Sequence, residues 1–118
     1  MLSYRAMRAS WMRVHAETQS VDLGATEVVI GRSPYCTLVL EDPSVSRVHA
    51  SLQRLGDHCR LKDLGSKNGT FVNDRPIGVD SVLVGPEDSI RVGDIPVRLE
   101  IIESANLDDD TMREDRPR

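Results

Sequence analysis

The sequence is poor in aromatic residues, in cysteine and in long apolar stretches. One tryptophan, two tyrosines and one phenylalanine make up 3% of its 118 residues, which favours a core of branched aliphatic side chains over an aromatic platform for nucleic-acid bases. No apolar run approaches membrane-spanning length, and residues 1–10 lack the hydrophobic segment of a signal peptide. The two cysteines, Cys36 and Cys59, have no metal-ligand spacing and form no disulfide framework. We therefore expect a reduced, cytoplasmic protein with no metal and no cofactor.

The chain also lacks an excess of basic residues. Its 19 acidic and 15 basic residues give a net charge of -4, and residues 103–118 contribute six acids against three arginines. The remainder carries 13 acidic and 12 basic residues and is nearly neutral. A nucleic-acid-binding protein needs a broad basic face, so we expect no nucleic-acid partner. Any anion that this protein binds should be captured locally.

Short strand-like runs separated by turn residues fill most of the chain. This pattern is typical of an all-β fold, since βαβ units need long helical connections. We predict one domain, a two-sheet antiparallel β-sandwich of about ten or eleven short strands spanning residues 11–102. Residues 1–10 are predicted to be a flexible segment, and residues 103–118 a disordered acidic tail.

One predicted hairpin decides where the polar loops lie. Residues 48–55 and 59–64 flank a Gly-Asp turn, so antiparallel pairing should bring the loops at their outer ends to the same edge of the fold. Alternation along the first strand predicts that Val48, Ala50 and Leu52 share one face. The same alternation puts His49 and Ser51 on the opposite face.

Three polar loops follow or precede these strands: GRS at 31–33, PSVSRVH at 43–49 and DLGSKNGTFVN at 63–73. A phosphate monoester dianion is best held by a guanidinium, a hydroxyl and backbone N–H groups in a concave turn. Arg32, Ser46 and Lys67, together with the N–H of Arg47, supply such a set. The loops therefore indicate a phosphate-binding site.

The order and separation of these loops over residues 11–102 resemble the forkhead-associated (FHA) domain, a phosphothreonine-peptide-binding β-sandwich. The resemblance implies that Arg32 and Ser46 contact the phosphate. Lys67 stands where threonine or serine is frequent in the family and would also reach the phosphate. Asn68 would bond the peptide backbone on both sides of the phosphorylated residue.

Other loop residues would support or border the site. Gly31 lets the chain turn sharply before Arg32, and Gly69 tolerates the positive φ of a turn. The resemblance implies that His49 braces the binding loop. Arg47 either touches the peptide or is a solvated charge at the rim.

We thus expect a phosphopeptide-binding module, with no catalytic activity, that mediates phosphorylation-dependent association in signalling. Its partner would be a threonine-phosphorylated protein such as a Ser/Thr kinase or its substrate, and no membrane is involved. A hydrolase using Ser46, His49 and Asp63 would lack the GxSxG pattern, and GSKNGT does not match the nucleotide-binding GxxxxGK[ST]. A phosphorylation-independent interaction scaffold remains the alternative.

Thr111 follows three consecutive aspartates in the acidic tail. An acidic approach of this kind suits some kinases, so Thr111 is a candidate phosphorylation site. Its phosphorylated form could be a ligand of its own or a neighbouring molecule. The alternative is that the tail only increases solubility or connects to another domain.

Overall fold

The computed structural model describes residues 10–24 and 26–103, which form eleven strands and no helix. The predicted all-β class and strand number are confirmed. The strands are β1 (Ser10–Ala16), β2 (Gln19–Leu23), β3 (Val28–Gly31), β4 (Leu38–Val39), β5 (Ala50–Leu55), β6 (His58–Asp63), β7 (Thr70–Val72), β8 (Arg75–Pro76), β9 (Val82–Val84), β10 (Ile90–Val92) and β11 (Ile95–Glu103).

The first and last strands begin and end one residue beyond the predicted domain limits, at Ser10 and Glu103. Most of the predicted flexible segment and acidic tail, including Thr111, lies outside the described residues.

The strands form two sheets, with the order β2-β1-β11-β10-β7-β8 in the first and β4-β3-β5-β6-β9 in the second. The predicted antiparallel pairing holds for every pair except β3 and β4, which run parallel. Cys36 donates its backbone N–H to Ser33, closing a tight turn, and Thr37 then pairs with Val29. The chain has by then returned to the start of β3, so β4 runs in the same direction as β3.

The core lies between the sheets and consists of aliphatic side chains at alternate strand positions. In β1, Met12 and Val14 are fully buried, as the predicted alternation requires. They share the core with Cys59, whose Sγ lies 3.0 Å from the Sδ of Met12. Burial raises the pKa of the Cys59 thiol to about 11, and both cysteines are free thiols.

The predicted face alternation is wrong at the start of the hairpin. Val48 is 49% exposed, whereas His49 and Ser51 are buried together with Ala50. For Val48 and His49 the reason is that β5 begins only at Ala50, so both residues belong to the preceding loop. The backbone of His49 still bonds to its neighbours, donating to Ile30 and accepting from Leu64. Its side chain enters the interior from the loop.

Strand pairing brings five loop ends to one end of the sandwich. Ala50 pairs with both Ile30 and Asp63, so the end of β3, the start of β5 and the end of β6 lie together. Thr70 pairs with Val92 in the other sheet, and the bond from the Asp94 N–H to Ser44 brings the start of β7 and the β10–β11 turn to the same end. The predicted convergence of the polar loops is therefore confirmed.

The core predicts that truncating two different leucines changes the free energy of unfolding by very different amounts. Leu52 is fully buried in β5, whereas Leu83 in β9 is 63% exposed. Leu52→Ala should lower the free energy of unfolding by about 2–5 kcal/mol because it leaves a cavity. Leu83→Ala, the matched control, should change it by less than about 0.5 kcal/mol. Urea denaturation measures both, and equal losses would contradict this assignment of the core.

Candidate functional site

Arg32 is anchored to the loop segment 44–47 at the end of β3. Its backbone N–H donates to the carbonyl of Ser46 at 2.9 Å, and its Nε donates to the carbonyl of Val45 at 2.8 Å. Neither terminal guanidinium nitrogen has a hydrogen-bond partner among residues 10–24 and 26–103. The backbone thus fixes the direction of the guanidinium and leaves its two outer nitrogens available to an anion.

Loop 65–69 attaches to the same segment through two hydrogen bonds. The backbone N–H of Lys67 donates to the Oγ of Ser46 at 3.0 Å, and the Nδ2 of Asn68 donates to the carbonyl of Ser44 at 2.9 Å. Because the Ser46 oxygen accepts here, its own O–H is left to donate elsewhere. Arg32, Ser46, Lys67 and Asn68 therefore lie around one surface, as the sequence predicts.

Asn68 has a structural bond that the sequence did not predict. One N–H of its amide joins two loops of the protein through the carbonyl of Ser44. The amide oxygen has no partner among the described residues and remains an acceptor for a ligand backbone. The predicted two-sided contact with a peptide would have to use this oxygen and the second N–H.

His49 connects the two loops from below. Its fully buried imidazole accepts the backbone N–H of Ser46 at Nδ1, 3.0 Å away, and its Nε2 lies 2.9 Å from the carbonyl of Gly69. A backbone N–H can only donate and a carbonyl can only accept. The neutral tautomer with hydrogen on Nε2 satisfies both. These are the contacts that a bracing role needs.

Gly31 permits a close approach between two loops. A Cβ at this position would lie 2.2 Å from the carbonyl oxygen of Arg47 and 2.9 Å from the Sγ of Cys36. That oxygen accepts the backbone N–H of Ser33 at 3.1 Å and the S–H of Cys36 at 3.3 Å. Any larger residue at position 31 would push the segment carrying Arg47 and Ser46 away from Arg32.

Asp63 and Ser66 hold loop 65–69 in its conformation. The sequence did not assign either residue to the phosphopeptide site. The Oδ2 of Asp63 accepts the backbone N–H groups of Gly65 and Ser66, both at 3.0 Å. Its Oδ1 accepts the hydroxyls of Ser66 and Thr70, and the Ser66 oxygen in turn accepts the N–H of Gly69. The signal in the sequence is an aspartate followed within three residues by glycine and serine, typical of an Asx turn.

This carboxylate is stabilised in its charged form. Partial burial by itself raises the pKa of Asp63, but the hydrogen bonds from Ser66, Thr70 and Gly65 outweigh it and lower the pKa below the usual 3.8. Asp63 is therefore a structural anion, used to hold the loop and not to meet a ligand.

A second carboxylate organises the central loop in the same way. The Oδ2 of Asp42 accepts the hydroxyl and the backbone N–H of Ser44, and the hydroxyl bond is the main cause of its lowered pKa. The Oγ of Ser44 also accepts the N–H of Asp94 at 2.8 Å, in the β10–β11 turn. The segment 44–47 is thus connected to both sheets.

The cations at this surface are not neutralised by the protein. Arg32, Arg47 and Lys67 are exposed, and none of them forms an ion pair within the part of the chain that the structure describes. The carboxylates of Asp42 and Asp63 are occupied by the loops themselves. The result is an open, positively charged surface that presents N–H and O–H donors to an anion.

The structure does not assemble the hydrolytic triad considered for Ser46, His49 and Asp63. The imidazole bonds the backbone N–H of Ser46 and not its hydroxyl, and Asp63 is engaged with loop 65–69. Among residues 10–24 and 26–103 no group of three or more His, Cys, Asp or Glu side chains could hold a metal ion.

Comparison with known proteins gives the same architecture. A family model described as the FHA domain matches residues 28–93. The chain is 41% identical over 63 residues to the oxoglutarate dehydrogenase inhibitor of Corynebacterium jeikeium, covering 53% of this chain and 42% of that protein. It is 40% identical over 63 residues to the glycogen accumulation regulator GarA of Mycolicibacterium smegmatis, covering 53% and 39%. The match therefore spans about two fifths of these relatives' length.

The fold matches that of a solved FHA domain studied for phosphothreonine-dependent interactions. The TM-score is 0.68 at 27% sequence identity, over 76% of this chain and 95% of the solved chain. In the described part of the protein, no helix has the length and apolar character needed to cross a membrane.

The lowered pKa of Asp63 predicts how the loop responds to acid. Asp63→Asn should lower the free energy of unfolding by about 1–3 kcal/mol at neutral pH, because an amide cannot accept all four hydrogen bonds. A carboxylate with a depressed pKa stabilises the fold above its unfolded pKa and loses this contribution as pH falls through the folded value. The difference between the two proteins should therefore shrink below about pH 3.8.

Urea denaturation at several pH values tests this prediction. Asp57→Asn, in the exposed β5–β6 turn, is the matched control and should change the free energy of unfolding by less than about 0.5 kcal/mol. A difference between wild type and Asp63→Asn that persists unchanged into strong acid would show that the carboxylate charge does not hold the loop.

Proposed function

Because this chain belongs to the FHA domain family, we propose that it binds phosphothreonine peptides of partner proteins through Arg32, Ser46 and the loops around them. The observation that carries the proposal is the anchoring of Arg32 by the carbonyls of Val45 and Ser46. This anchoring holds a guanidinium beside a hydroxyl whose hydrogen is free. The function is phosphorylation-dependent protein association in signalling.

Each donor at the surface has a separate task in holding the phosphate. The two outer nitrogens of Arg32 bind two phosphate oxygens, and the Ser46 O–H donates to a third. The backbone N–H of Arg47 has no partner among the described residues and is available to donate to the same ligand. Lys67, whose backbone is fixed on Ser46, adds a mobile positive charge. Because the loops are already held, binding costs little further ordering.

Asn68 contacts the peptide backbone and not the phosphate. Its amide oxygen accepts a backbone N–H of the bound peptide, while its Nδ2 keeps the bond to Ser44. A peptide backbone offers this donor whatever its sequence. Asn68 therefore fixes the path of an extended peptide across the loops.

The same contacts set the affinity. Three charge-assisted hydrogen bonds contribute roughly 1.5–3 kcal/mol each, and association costs about 4 kcal/mol or more. The balance is roughly 0.5–5 kcal/mol, and contacts with the peptide backbone would supply the remainder of the about -8 kcal/mol of micromolar binding. Removing the phosphate removes most of this energy, so partner binding depends on a kinase and a phosphatase.

The partner proposed is a Ser/Thr kinase or one of its substrates, met in the cytoplasm. Support comes from the solved FHA structure concerned with phosphothreonine-dependent interactions. The names of the two relatives describe an enzyme inhibitor and a metabolic regulator. Both names fit a module that acts by binding other proteins.

Replacing either phosphate donor should weaken binding without unfolding the protein. Arg32→Ala and Ser46→Ala should each weaken binding of a phosphothreonine peptide by roughly tenfold to a hundredfold, the loss of one charged hydrogen bond or more. Arg60→Ala, an exposed arginine on β6, is the matched control and should bind like the wild type. Isothermal titration with peptides selected from an oriented phosphothreonine library measures the effect.

The same titrations separate the proposed function from a phosphorylation-independent scaffold. The unphosphorylated form of each peptide should show no measurable binding. A scaffold would bind both forms equally, and Arg32→Ala would leave that binding intact. Circular dichroism and urea denaturation of each variant check that the fold is retained, so a loss of binding is assigned to the site.

A further inference from the structure

We propose that one ligand of this site is the chain's own segment around Thr111, phosphorylated and bound by a second copy of the protein. The inference rests on the proposed phosphothreonine-binding function and names a partner for it. Two observations carry it. One is the charge left unpaired at the site, and the other is where the described chain ends.

In the part of the chain that the structure describes, the site presents more exposed cations without ion pairs than a phosphate alone would pair with. Arg32, Arg47 and Lys67 are three exposed cations without acidic partners among the described residues, whereas a phosphate monoester carries up to two negative charges. A carboxylate next to the phosphothreonine would pair with the remaining cation. Asp108, Asp109 and Asp110 directly precede Thr111, so the chain contains a segment of matching charge.

The direction of β11 decides whether the segment can reach its own site. Ile95, at the start of β11, follows the turn in which Asp94 bonds Ser44 of the site. Glu103, at the end of this nine-residue strand, lies at the opposite end of the sandwich. Eight steps of about 3.3 Å give a separation of about 26 Å. The chain therefore leaves the described fold far from the site and moving away from it.

The segment is too short to return. Thr111 is the eighth residue after Glu103, and eight residues span at most about 26–29 Å when fully extended. This length only equals the separation, and a reversal of direction consumes several residues. No chain length remains to place the residues on both sides of Thr111 across the loops. Phosphorylated Thr111 is therefore bound by another molecule and not by its own.

Binding between copies can be reciprocal. The tail of one molecule leaves the end opposite to its site, so two molecules placed side by side in opposite directions bring each tail next to the other's site. When both tails are bound, the dimer closes with two-fold symmetry. The second contact forms within the dimer, so closure strengthens the association beyond a single micromolar contact.

A complementation experiment with full-length chains tests the proposal. One protein carries phosphothreonine at position 111, incorporated by semisynthesis, together with Arg32→Ala, so that it has a tail and no site. The other carries Thr111→Ala, so that it has a site and no tail. We expect each to be monomeric alone and the mixture to form a 1:1 complex, measured by size-exclusion chromatography with light scattering. The phosphorylated chain with an intact site should form dimers at micromolar concentration.

The outcomes distinguish this inference from the proposed function. If the mixture stays monomeric while library phosphopeptides still bind the Thr111→Ala protein, the self-ligand is refuted and phosphothreonine binding stands. If neither library nor Thr111 phosphopeptides bind, both proposals fail. If the phosphorylated chain with an intact site stays monomeric and no longer binds library peptides, the tail reaches its own site and the geometric argument is wrong.

A peptide series tests the charge argument separately. A phosphothreonine peptide of residues 104–118 should bind the Thr111→Ala protein more tightly than the same peptide with Asp108, Asp109 and Asp110 replaced by asparagine. The expected difference is about threefold to tenfold and should decrease at high salt, because exposed ion pairs are weak and screened. Equal affinities would remove the acidic run from the recognition.

Discussion

The site depends on one buried imidazole that joins loops from two different sheets. His49 precedes β5 in the second sheet, and Gly69, which it contacts through Nε2, precedes β7 in the first. Its Nδ1 meanwhile holds the backbone N–H of Ser46, the residue that presents the hydroxyl. Losing the ring would leave a buried donor and a buried acceptor unsatisfied, at about 1–3 kcal/mol each. The spacing between the proposed phosphate donors is therefore set by the interior of the protein.

Around this bond the loops use their acids and their bases differently. Asp42 and Asp63 accept hydrogen bonds from the backbone N–H groups and hydroxyls of their own loops, which fixes the turns. Within the described residues, the guanidinium of Arg32 hydrogen-bonds to the protein only through Nε, and Lys67 does so only through its backbone N–H. A nearly neutral domain thus obtains a locally positive surface without a broad basic face. Local capture of an anion, expected from the charge balance, has this structural basis.

Sequence periodicity predicted what depends on neighbouring residues in the chain. The alternation of β1, the β5–β6 hairpin and the convergence of the three polar loops follow from side-chain period and turn chemistry. The burial of His49, the parallel β3–β4 pair and the inward use of Asp63 could not be predicted in this way. Each is set by contacts between separate loops, such as the bond from His49 to Gly69. For Asn68, the sequence predicted the position at the site but not the hydrogen bond to Ser44.

The open shape of the surface determines how strongly its affinity can depend on a phosphate group. The donors lie on loop tips, with Arg32, Lys67 and Asn68 all exposed, so they can reach an anion through hydrogen bonds and charge. In the proposed complex, the charge-assisted hydrogen bonds to the phosphate are therefore the main source of affinity. These bonds disappear together when the phosphate is hydrolysed. A deep apolar pocket would retain part of its affinity for the unmodified partner, whereas the surface proposed here would release it.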